Sequence, residues 1–188
     1  MTQTLPRAQH VAEYLVWLSA HERPEDPDYL TPLKLQKLMY FVQGWSLAES
    51  GRPMFAEPIE AWKHGPVVPE VFKTYRAREK LAIVPDPSAP PPDLSPEHRA
   101  VIRGVWDVYK RFSAFALSDM THVDAPYVEA YAPDGSGRCS AVIETSAIAR
   151  SFSARVDAAQ TRTPERRDRL RAFAAGNTRR LTGRDVLE

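Results

Sequence analysis

Between Thr31 and Gly51 the chain reads TPLKLQKLMYFVQGWSLAESG, and no other stretch limits the fold as strongly. Thr31 is suited to cap a helix. Pro32 is suited to its first position, where the missing N–H costs nothing. Gly51 is suited to close it in a left-handed cap. At 100° per residue, two apolar stripes emerge. Leu35, Leu38, Met39, Val42 and Trp45 make one. Leu33, Tyr40, Phe41, Gly44, Leu47 and Ala48 make the other. A helix apolar nearly all round is buried among other elements, so this one is predicted to be central. Gly44 costs about 1 kcal/mol against alanine in mid-helix, and close approach of a neighbouring element is a physical reason to keep it. Lys37 lies inside the second stripe. Two readings of it stand side by side. Its stem snorkels to water, or its charge is anchored in a groove against a carboxylate or a partner. Unpaired burial is too costly to tolerate.

Other helices are expected around this one. Val11, Tyr14, Leu15 and Leu18, with Ala8, recur at helical spacing over 7–22. Residues 52–64 alternate weakly and predict a short strand in a small antiparallel pair, ended by the Gly65-Pro66 turn. Pro69 opens a helix carrying Val71, Phe72 and Tyr75. LAIV at 81–84 reads as an edge strand. Ser95-Pro96 repeats the cap-plus-proline signal ahead of Val101, Ile102, Val105, Trp106, Tyr109 and Phe112. Ser113 caps AFALSDMTH, Pro126 starts a short turn, 133–138 is a loop, and 143–155 is helical. The fold class is α+β, predominantly helical, with about six helices and a small antiparallel β-sheet. The domain is expected over 1–155, with an extended proline-rich loop at 85–96 inside it. An Arg-rich C-terminal tail over 156–188 is expected to be flexible, helical at best around Leu170, Phe173 and Ala174.

Composition excludes several function classes. A net charge of +1 supplies no global field for nucleic acid or an anionic membrane. The single cysteine, Cys139, cannot build a thiolate metal site alone. The N-terminus lacks the apolar core of a signal peptide, and no run approaches the roughly 18 apolar residues of a membrane span. A cytoplasmic protein is expected. There is no phosphate-binding glycine loop, no HExxH and no nucleophile elbow. Asp119 and Asp124 flank His122, but a structural histidine–carboxylate or capping contact outweighs a catalytic or metal role there. No catalytic residue, metal or cofactor is expected. Trp62, on a short strand with polar neighbours, is the best candidate for an exposed aromatic contact. The residue chemistry alone defines a helix-rich interaction module.

Three strings sharpen this. LTPLKLQKLMYFVQGWSLAESGRPMF, IEAWKHGPVVPEVF and LSDMTHVDAPYVEAY follow one another along the chain. Together they resemble the Panacea domain of SocA-like bacterial antitoxins, over about residues 8–155. Relatives often carry a tryptophan shortly after the Thr-His pair, where Tyr127 stands here. The resemblance implies a non-enzymatic antitoxin that neutralises a cognate toxin protein by direct contact. For SocA-type members it implies a proteolytic adaptor that brings the toxin to the ClpXP protease. Carried over residue by residue, Lys37 and Tyr40, with Trp62, Gly65, Pro66 and Val67, frame a partner-binding groove. Thr121 and His122 support it. On this reading, replacing both Lys37 and Trp62 with alanine leaves the fold intact and weakens toxin binding.

Two rival readings remain. One is a DNA-binding autoregulator, whose best recognition helix is 164–180. Acidic residues interrupt the arginines there and no aromatics are interleaved for base stacking, so nucleic acid is the weaker partner. The other is a hydrolase using His122 with Asp119 or Asp124.

Overall fold

The computed structural model describes residues 4–136 and 138–158. In chain order these form helices α1 (Ala8–His21) and α2 (Pro32–Ser50), strands β1 (Glu60–Trp62) and β2 (Gly65–Val67), and helix α3 (Pro69–Tyr75) with a 3-10 turn at Arg76–Arg78. Helices α4 (Pro96–Tyr109), α5 (Ala114–His122) and α6 (Ala125–Ala130) follow. Among the described residues a further helix, α7, occupies 145–158. The fold is α+β and mostly helical, as expected. Among the described residues, those up to Phe152 belong to one compact unit and 153–158 lie outside it. The tail expected over 156–188 falls outside the described residues from 159 onward. The candidate recognition helix 164–180 and the piece around Leu170 fall there too.

Helix α2 is central: α1, α3, α4, α5 and β2 all pack on it. Its ends form as its sequence dictates. Thr31 Oγ1 accepts the Lys34 N–H at 3.3 Å, and Gly51 takes the left-handed cap at φ 68°. A Cβ at Gly44 would sit 2.4 Å from the ring of Phe152 on α7. That ring is wedged edge-on against Tyr40, Phe41 and Trp45 at 5.7, 6.2 and 5.5 Å. Gly44 is therefore the close-approach point expected of it.

Ser95 and Ser113 cap α4 and α5, accepting the His98 and Ala116 N–H groups. Arg7, ahead of α1, supplies no side-chain cap; Glu57 Oε1 reaches in from a distant loop and accepts the Ala8 N–H at 3.0 Å. The short turn expected at Pro126 is a full helical turn and more, α6. The edge strand expected at 81–84 does not form. Ile83 is buried and donates to Leu30 O at 2.7 Å, while Leu81 and Val84 are exposed. Pro85 has no N–H to extend such a ladder.

Strands β1 and β2 pair antiparallel, Glu60 with Val67, Ala61 with Pro66 and Trp62 with Gly65. On its other side β1 bridges to 141–143. Ala61 N–H donates to Ala141 O, and Ile143 N–H to Ile59 O, both at 2.8 Å.

Candidate functional site

The β1–β2 hairpin is held by side chains from three separate elements, and nearly every carbonyl around its turn is engaged. Tyr127 on α6 donates its hydroxyl to Trp62 O at 2.8 Å. On α5, His122 Nε2 lies 3.0 Å from Lys63 O, and Ser118 Oγ donates to His64 O at 3.2 Å. On α2, Lys37 Nζ donates to Pro66 O at 3.0 Å, and Gln36 Oε1 accepts the Val68 N–H at 2.8 Å. About two turns further along α2, Gln43 grips the approaching chain. Its Oε1 accepts from Met54 and Phe55 N–H at 2.8 and 3.2 Å, and its Nε2 donates to Phe55 O at 3.1 Å.

Lys37 is 0% exposed and so is Tyr40. Neither reading of Lys37 from the sequence describes this. The ammonium does not reach water, and it donates to a backbone carbonyl rather than to a carboxylate. Burial pushes its pKa down to about 7. Gly65 makes room for it: a Cβ there would lie 2.5 Å from Lys37 Nζ and 2.8 Å from Thr121 Oγ1, and φ is +96°. An L-residue side chain is excluded on both counts. Thr121 Oγ1 donates to Ser118 O at 2.8 Å, within α5 itself. Tyr40 OH donates to Asp124 Oδ2 at 2.7 Å, and Ser151 Oγ donates to Asp124 Oδ1 at 2.7 Å. Burial, then the neighbouring Tyr131 and Cys139, push the Tyr127 hydroxyl up to about 12, with a Gly65 backbone bond opposing. It stays a donor throughout the neutral range.

The predicted site residues therefore come together, but in two roles. Lys37, Tyr40, Gly65, Pro66, Val67 and Thr121 are buried. In this conformation Lys37 and Tyr40 have no surface to offer a partner, because both are enclosed between α2 and the elements packed on it. Replacing Lys37 with alanine would open a cavity beneath the hairpin, so the double substitution is not neutral for folding. Trp62 is half-buried, with its ring edge-to-face on Phe72 at 4.9 Å and its Nε1 donating to Glu60 Oε2 at 2.7 Å. Lys63 and His64 at the tip are exposed.

His122 Nδ1 lies 2.7 Å from Ser118 O. Both ring nitrogens thus face backbone carbonyls rather than Asp119 or Asp124. Among the described residues no cluster of three or more His, Cys, Asp or Glu is placed to hold a metal ion. No helix among them is long and apolar enough to cross a membrane. Gln36, Gln43 and Ser118 escaped the sequence reading, and Asp124 entered it only as a neighbour of His122, not as the partner of Tyr40 and Ser151. The signal for the first two was present as amides placed among the apolar positions of a helix with no wet side.

Side chains of α2, α5 and α6 thus hold one short hairpin whose tip is open. Residues 35–126 match the family described as antitoxin SocA-like, Panacea domain. The match supports the resemblance to SocA-like Panacea domains read from the three strings. Antitoxin SocA of Caulobacter vibrioides (strain NA1000 / CB15N) is 46% identical over 55 residues, which span 29% of this chain and 29% of that protein. No solved structure matches.

Proposed function

We propose that this chain is the antitoxin of a bacterial toxin–antitoxin pair. It acts in the cytoplasm by binding its cognate toxin protein and delivering it to ClpXP, with no bond-making chemistry of its own. One observation carries the reading. The strings that mark the family, around Gln36-Lys37-Tyr40, Trp62-to-Val67 and Ser118-to-His122, converge on the seat of a single hairpin whose tip is open. Trp62, with Lys63 and His64, makes the partner contact. Lys37, Tyr40, Gly65, Pro66 and Val67 set its position, and Thr121 and His122 support it. An adaptor gains by making delivery intramolecular, which raises the toxin's effective concentration at the protease.

The test is co-expression with the reading frame adjacent to this one. Rescue of growth, a toxin half-life that shortens only where ClpXP is present, and loss of both effects in a folded Trp62→Ala variant are expected. Rescue with an unchanged toxin half-life would remove the adaptor step. Failure to rescue would remove the antitoxin reading.

A further inference from the structure

Beside the hairpin lies a groove of about 570 Å³ lined by Trp62, Lys63, Arg138 and Ser140 among others. Its charged lining residues are Lys63, Arg138 and Asp134, two cations and one anion, so the excess charge is positive. Neither Lys63 nor Arg138 has an ion-pair partner among the described residues. Asp134 is turned to its own loop: its Oδ1 accepts from Ser136 N–H, Ser136 Oγ and Arg138 N–H at 2.8, 2.6 and 3.1 Å. Those bonds hold its pKa below the usual carboxylate range, Ser136 being the main cause, so it stays ionised.

The second feature is an open sheet edge that runs into this groove. Ala141 O and Ile143 N–H point inward and pair with β1. Backbone groups alternate sides along an extended strand, so those of Ser140 and Val142 turn outward. No backbone bond engages Val142 among the described residues, and its side chain is 51% exposed. Ser140 stands on the edge and also lines the groove. An uncovered edge next to unpaired cations is the arrangement that accepts an added strand with acidic side chains.

We infer that the 140–142 edge and the adjoining Trp62–Lys63–Arg138 groove receive an extended segment of a partner protein. The segment adds as a strand and places an Asp or Glu side chain between Lys63 and Arg138. This rests on the antitoxin reading, and gives the toxin segment its chemistry.

The experiment is selection of interior, uncharged-ended heptapeptides from a phage-displayed random library on the full chain, followed by fluorescence polarisation of the enriched peptides. Enriched peptides are expected to carry Asp or Glu. Binding is expected to weaken at least tenfold in the Lys63→Glu/Arg138→Glu chain and at least tenfold in Val142→Pro, which removes an outward N–H. All variants are checked for unchanged circular dichroism and melting. No enrichment, enriched peptides without acids, or affinity unchanged in either variant would overturn the inference. So would self-association of the chain that vanishes with Val142→Pro, since the edge would then serve a second copy. The two proposals fail separately. If the charge-reversed chain still neutralises the toxin, the groove assignment falls and the antitoxin reading stands. If acidic peptides bind and no rescue occurs, the reverse holds.

Discussion

Lys37 makes stability depend on pH in a way one substitution removes. Its folded pKa is about 7 and its ordinary value 10.5, and burial is the cause. The unfolded chain therefore binds more protons between those values, and stability rises with pH through that window. At 1.36 kcal/mol per unit, the gain between about pH 7 and about pH 9.5 comes to about 3 kcal/mol. Lys37→Met keeps a chain of similar reach without the titrating amine. It leaves Pro66 O without its donor, at a cost of about 1–3 kcal/mol that does not vary with pH. The two urea unfolding curves, followed by tryptophan fluorescence, are thus expected to diverge. As pH falls from about 9.5 to about 7, the Met variant gains about 3 kcal/mol relative to the parent. Tyr127, held up at about 12, contributes equally to both chains, and its stability is lost only as pH rises from about 10 toward that value. Parallel stability curves for the two chains would refute the claim that Lys37 folds as a buried, proton-shedding amine.

Gly65→Ala is expected to destabilise by about 3 kcal/mol or more in urea unfolding. It combines about 1–2 kcal/mol for a left-handed L-residue with displacement of the Lys37 ammonium. Gly44→Ala should lower stability by about 1–3 kcal/mol despite alanine's preference for helix, because the new methyl meets the Phe152 ring; a raised melting temperature would contradict the packing. Tyr127→Phe removes the hydroxyl bond to Trp62 O and should cost about 1–2 kcal/mol, with hydrogen exchange at the hairpin amides accelerating more than that at α1.

Much of the fold was legible because its signals are local. Thr31-Pro32, Ser95-Pro96 and Ser113 each satisfy N–H groups within one helical turn, so three helix starts follow from neighbours in the chain. The all-round apolar character of α2 requires burial wherever the partners come from. Gly44 signalled a close contact without naming Phe152, more than a hundred positions away in a different helix. The failures have a common origin. LAIV has strand-forming composition, but pairing needs a neighbour with free backbone groups, and Leu30 supplies only one bond.

Lys37 shows the division most clearly. The sequence by itself determined that a lysine sits within an apolar stripe of a buried helix, and left open whether its ammonium reaches water or an anchoring partner. What the ammonium meets is a matter of three dimensions. The Pro66 carbonyl reaches Nζ only because Gly65 has no Cβ and because α5 and α6 hold the hairpin down from the other side. Hydrogen bonds over tens of residues leave no periodic trace, since their partners are joined by the folding of the chain and not by spacing along it. For that reason the tertiary structure alone decided that the family's polar residues form the seat of the hairpin, and that the open surface is its tip and the strand beside it.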